Sequence, residues 1–185
     1  LLFSIAFGAM LLAGVLFLTG VWDYSILRAG LALAPGPLMA AASAVPAGRL
    51  APRFGERRLA AIGCLTFAAG TASWALRIGA EPAYLSELLP GMVLTGTGVG
   101  LTLASVSNAA VSALPPERFA TGAAVLSMAR QLGIVLGVAL LIAIYGKPAA
   151  AEAVTHFHHG WWFMAAAASA GALAALAIGK RPTLE

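Results

Sequence analysis

Acidic residues are scarce in this 185-residue chain. Asp and Glu together number 7, and none sits well inside an apolar run; Asp23 and Glu87 lie near run ends. Moving protons across a membrane usually needs a titratable group within a span, so a coupling carboxylate is expected outside this chain. Charge of either sign is sparse, at 10% of residues, where soluble domains carry about 25%. Cysteine is limited to Cys64, which excludes an internal disulfide and a multi-cysteine metal cluster. It lies in an apolar run and reads as inert packing. A basic leader with a small-residue cleavage site is also missing, so no signal peptide is expected. The first residue is Leu1, as expected of a trimmed start or of a piece of something longer.

What fills the chain instead is apolar. Hydrophobic residues reach 61% and the mean hydropathy is +0.91, which argues against a water-soluble globule. The net charge of +4 does not point to nucleic acid, because the 11 Lys and Arg are scattered among long uncharged runs. A bilayer core of roughly 30 Å takes about 20 apolar residues as helix. Six such runs are present, at about 1–21, 29–50, 59–76, 88–114, 119–146 and 160–179. Unpaired backbone groups are not tolerated in lipid, so each run is expected to be a helix. None alternates in polarity as a membrane strand would. The expectation is an all-α integral membrane protein, read as a single six-helix domain over residues 1–185.

The polar breaks set an orientation. Arg49, Arg53, Arg57, Arg58, Arg118, Lys180 and Arg181 fall on one side; Arg28, Arg77 and Lys147 fall on the other. The richer side is expected to be cytoplasmic, which puts both ends of the chain inside the cell. Every Trp and Tyr falls at the opposite ends of the runs: Trp22, Tyr24, Trp74, Tyr84, Tyr145, Trp161 and Trp162. Rings of this kind favour the membrane–water interface, so a one-sided outer belt is expected.

Three features inside the runs invite a functional reading beside a structural one. Pro35, Pro37 and Pro46 interrupt run two; a proline removes a helical hydrogen bond, giving either a static bend or a helix that bends in a working cycle. In run four, Gly91, Thr95, Gly98, Thr102, Ser105, Asn108 and Ser112 recur every three or four residues and share a face. Such a face serves close helix packing or lines an aqueous path. Run five holds the one charge deep in a span, Arg130, followed by Gln131. Insertion scales put the cost of a mid-span arginine at roughly 2.5–3.5 kcal/mol. Arg130 lies roughly 12–15 Å along the helix from the arginine-rich side. It either snorkels or glues helices together, or it faces a polar cavity. His156, His158 and His159 cluster in the last outer break, where no carboxylate or cysteine completes a metal site.

The second break, Gly48-Arg49-Leu50-Ala51-Pro52-Arg53-Phe54-Gly55-Glu56-Arg57-Arg58, resembles the cytoplasmic loop signature of the major facilitator superfamily. Gly48, Arg49, Arg53, Gly55, Arg57 and Arg58 carry the likeness, while Pro52 stands where the family has an acid. Leu89-Pro90-Gly91 through Gly98-Val99-Gly100-Leu101 is similar to the family's tenth helix. Ala123 to Leu140, with Arg130-Gln131-Leu132-Gly133, is similar to the eleventh, and Gly30 to Pro35 adds a fourth match. The nearest branch is the fourteen-helix drug:proton antiporters, in their last six helices. The family's acidic marker, an Asp in the first helix of the N-terminal half, is not seen.

The resemblance implies one half of a major facilitator fold, built from two inverted three-helix repeats. It implies a secondary transporter in the cell membrane, proton-coupled, exporting drug-like small molecules by alternating access. Its partners would be the lipid bilayer, a missing N-terminal half, a small-molecule substrate and protons. Runs one, two, four and five would line a cavity, with Arg130, Gln131, Asn108, Ser105 and Thr102 facing it, and runs three and six would face lipid. No cofactor and no catalysis are expected. The three histidines share one break and no Gly-x-Ser-x-Gly elbow is present, so an intramembrane protease has no basis. A free-standing six-helix scaffold, pairing with itself, fits the small-residue faces equally well.

Overall fold

Helices carry the chain in a computed structural model that describes residues 1–112, 114–146 and 153–177; among these there is no strand. The described residues form seven α-helices: α1 Leu2–Gly20, α2 Ile26–Leu33, α3 Pro35–Phe54, α4 Glu56–Arg77, α5 Leu89–Ser112, α6 Phe119–Tyr145 and α7 Ala153–Ala177. A π-helical turn, Tyr84–Leu88, leads into α5. They make six helices long and apolar enough to cross a membrane, with α2 and α3 forming one span, Ile26–Phe54. Lys147, Lys180, Arg181, Gly179 at the end of the expected sixth run and the side chain of Ser112 lie outside the described residues.

The division of the second span follows from its prolines. Pro35 and Pro37 have no N–H to donate one turn back. Ala34 N instead reaches Leu31 O at 3.2 Å, a tighter step, and Leu38 N reaches Ala34 O at 3.3 Å. The Tyr84 hydroxyl donates to Ala32 O at 2.9 Å, tying the start of the fourth span to this break. Pro46 and Pro52 lie inside α3, and the helix continues through both. At the other end of the span Gly55 takes φ 83° and ψ 137°, which lets the chain turn directly from α3 into α4.

The packing has an internal symmetry. The first span packs on the fifth and sixth, the fourth packs on the second and third, and the third and sixth pack on each other. Exchanging spans one, two and three with four, five and six maps this pattern onto itself, as two related three-helix repeats require. Glycine pairs one turn apart allow the crossings within it. A Cβ at Gly133 would lie 2.8 Å from Leu1 O, and one at Gly137 would lie 2.8 Å from the Ile5 carbonyl carbon. On the other side of the symmetry, Gly96 and Gly100 meet the backbone of α3 at Gly36 and Ala40.

Three expectations need correction. The third span does not simply face lipid: 61% of its most apolar window is buried, against 17% in the second and fifth spans. Composition reports that a helix is apolar but not which neighbours cover it, and α4 is covered by both α5 and α7. The aromatic residues do not form a lipid-facing belt. Trp22, Tyr24, Trp74, Tyr145 and Trp161 are buried, and only Trp162 among the tryptophans is exposed. They turn inward around Phe17, whose ring meets Trp22, Phe157 and Trp161 edge-on at 5.1–5.2 Å. Edge-to-face stacking inside the bundle thus accounts for their gathering at one end. Finally, the three histidines lie in α7 rather than in a loop. Their polarity ends the apolar count, but helical bonding continues, and His158 Nε2 sits 2.8 Å from Ile78 O.

Candidate functional site

Spans one, two and four line a partly open cavity of about 330 Å³. Phe7, Met10, Leu11 and Gly14 come from the first span; Leu33, Gly36, Pro37 and Ala40 from the second; Met92, Thr95, Gly96 and Val99 from the fourth. Phe17, Trp74, Leu88 and Trp161 close it at the aromatic end. The walls follow from local structure: the Pro35 break opens the second span, and Gly36, with Met92 Cε 3.3 Å from where a Cβ would stand, keeps the wall thin. The Trp74 indole donates to Leu88 O at 3.0 Å, so its ring is held in place with its polar atom satisfied. Thr95 is the hydroxyl on the lining, and it donates to Met92 O at 3.2 Å. With that donor engaged and the other walls apolar, the cavity can accept a lipophilic body and offers little to a hydrated one. Two flexible thioethers, Met10 and Met92, adapt to differently shaped ligands.

A second recess, about 70 Å³, lies toward the arginine-rich end between spans one, four and five. Ser4, Thr102, Ser107 and Arg130 border it together with apolar side chains. The residues singled out from the sequence therefore do not converge on one cavity. Arg130 and Thr102 border the small recess, and Pro37 borders the large one. Arg130, Gln131 and Asn108 are exposed in this chain. Thr102 is buried and donates to Cys64 Sγ at 3.8 Å, so it also binds span four to span three. Gly91, Thr95 and Gly98 of the same stripe pack on Trp74, Gly70 and Phe67 of the third span. Ser105 is buried, and its hydroxyl has no hydrogen-bond partner among the described residues. Pro35 is half-buried and Pro46 exposed.

The arginine-rich break has a defined contact. Arg57, on the first turn of α4, donates from Nε to Ala175 O at 3.3 Å and from Nη2 to Leu176 O. These carbonyls belong to the last described turn of α7, where the helix dipole favours a cation. Gly48, Arg49, Arg53, Gly55 and Arg58 are exposed around it.

Sequence reasoning did not identify the large cavity. Its residues are chemically ordinary and come from separate spans; the available signal was the pair of methionines, Met10 and Met92, and the glycine at the proline break.

A family model described as Major Facilitator Superfamily matches residues 1–184 of the chain. Among similar proteins, the Puromycin resistance protein pur8 of Streptomyces alboniger is 36% identical over 145 residues, 76% of this chain and 28% of the relative. The Multidrug resistance protein B homolog of Mycobacterium tuberculosis is 30% identical over 135 residues, 73% of this chain and 25% of the relative. A Probable actinorhodin transporter of Streptomyces coelicolor is 28% identical over 171 residues, 83% of this chain and 29% of the relative. The match thus spans between a quarter and three tenths of these relatives' lengths.

Proposed function

The chain belongs to the major facilitator superfamily, and from that premise we propose that it forms one six-helix half of a proton-coupled exporter of lipophilic, drug-like small molecules. The observation that carries this reading is the apolar cavity of about 330 Å³ between spans one, two and four. Its size falls at the lower end of ligand pockets, and its lining suits a body that partitions into lipid. The sparse burial of spans two and five supports a second half that covers them. Relatives named for puromycin and multidrug resistance support a drug-like substrate.

In this reading the two halves rock about the site and expose it to each side in turn. Asn108, Ser105 and Thr102 offer hydrogen bonds on the path, and Arg130 and Gln131 supply its polar end. The coupling carboxylate belongs to the other half. The arginine-rich segment from Gly48 to Arg58, the end of α3 and the first turn of α4 joined at Gly55, holds the gate at the cytoplasmic face of the cell membrane. Arg57 does so through the end of α7.

The test is to fill the cavity. In the full-length protein, Met92→Trp adds an indole where the thioether now borders open space. Resistance of cells to a lipophilic antibiotic should fall at least about tenfold, the loss of roughly 1.4 kcal/mol of binding, with membrane abundance unchanged. Undiminished resistance with the cavity filled would refute the site.

A further inference from the structure

We propose that the ligand of this half is a lipophilic anion, with its apolar body in the large cavity and its acid group on Arg130. The proposal rests on the transporter reading above and narrows it to a substrate class. Position is the first argument. Phe3 borders the small recess and Phe7 the large cavity, and their rings stack with centroids 6.4 Å apart and planes 6° apart. On the facing span, Val99 borders the large cavity while Thr102 and Leu103 border the small recess. About one helical turn, roughly 5 Å, therefore separates the two along both walls.

Chemistry is the second argument. The large cavity carries no charged side chain, while Arg130, Ser4 and Ser107 are among the residues that border the recess. At about 70 Å³ the recess has room for a carboxylate but not for a second lipophilic body. A guanidinium meets a carboxylate through two parallel N–H···O bonds, which are stronger than neutral ones. A lipophilic cation meets the opposite situation: no described residue bordering either cavity is a carboxylate, and Arg130 repels it. A neutral ligand fills the large cavity and leaves the guanidinium without a gain. The pair of cavities thus selects a molecule that is apolar along its body and acidic at one end.

The experiment compares 1-pyrenebutyric acid, ionised at neutral pH, with its uncharged methyl ester. Binding to the full-length protein in lipid nanodiscs is read by energy transfer from tryptophan, since Trp74 and Trp161 border the large cavity. The acid should bind at least about tenfold tighter than the ester, and Arg130→Gln should erase the difference. Arg130→Lys keeps the charge without the planar fork and should keep part of the preference, which serves if the glutamine variant does not fold. Equal binding of acid and ester to the parent protein overturns the proposal, as does a preference that survives both substitutions; either result leaves the cavity reading standing. If neither ligand binds, the cavity reading itself fails.

Discussion

At Gly55 the backbone holds a positive φ of 83°, a conformation that costs an L side chain roughly 1–2 kcal/mol. No neighbour fills the space a Cβ would take there, so the cost of a substitution is conformational alone. Gly55→Ala should therefore lower the apparent melting temperature by about 2–8 °C, with each kcal/mol worth about 2–4 °C in a bundle of this size. An unchanged melting curve in detergent would mean that the turn relaxes freely. The glycine and its flanking arginines were legible from the sequence because they form one contiguous motif. The partner of Arg57 was not, because Ala175 and Leu176 lie at the far end of the chain and offer only backbone carbonyls. Arg130 marks the same limit in another way. Its depth in a span could be read from the apolar residues around it, but its place on the rim of a recess depends on where spans one and four lie.

Among the elements, the crossing of the first and fifth spans is set by backbone contact. A side chain at Gly137 would meet the backbone of Ile5, which cannot rotate away. Gly137→Leu should push α6 off α1 and destabilise the bundle by about 1–3 kcal/mol, the usual range for overpacking. Val135→Leu, at an exposed position of the same helix, should be close to neutral. Thermal unfolding of the two variants side by side checks this, and equal stability would contradict the close crossing. Two glycines four residues apart, Gly133 and Gly137, have the spacing of a close-packing face, but the identity of the facing helix required the fold. The aromatic end shows a similar division. The ends of the runs were readable from position, whereas the inward turn of Trp22 and Trp161 depends on Phe17 being there to receive them, and that of Trp74 on Trp161.

On the scale of the whole molecule, six apolar runs and four motif stretches were enough to anticipate an all-helical membrane half. The cavity was not anticipated, because it belongs to the gaps between spans and to no motif. It forms where the second span breaks at Pro35 and where α5 presents Met92, Gly96 and Val99 to α1. Two spans that keep only 17% of their most apolar windows buried leave much of this half open to another surface, lipid or protein. The proposed division of labour follows: this half holds the ligand body, and the second half supplies the carboxylate that couples it to protons.

Transport itself tests that account most directly. Full-length protein is reconstituted into proteoliposomes, a pH gradient is imposed, and the movement of a lipophilic fluorescent compound across the bilayer is followed. The account predicts protein-dependent movement opposite to the proton flow, abolished by a protonophore and reduced at least about tenfold by Met92→Trp. Movement no faster than in protein-free vesicles, or equally fast with the gradient collapsed, would contradict it.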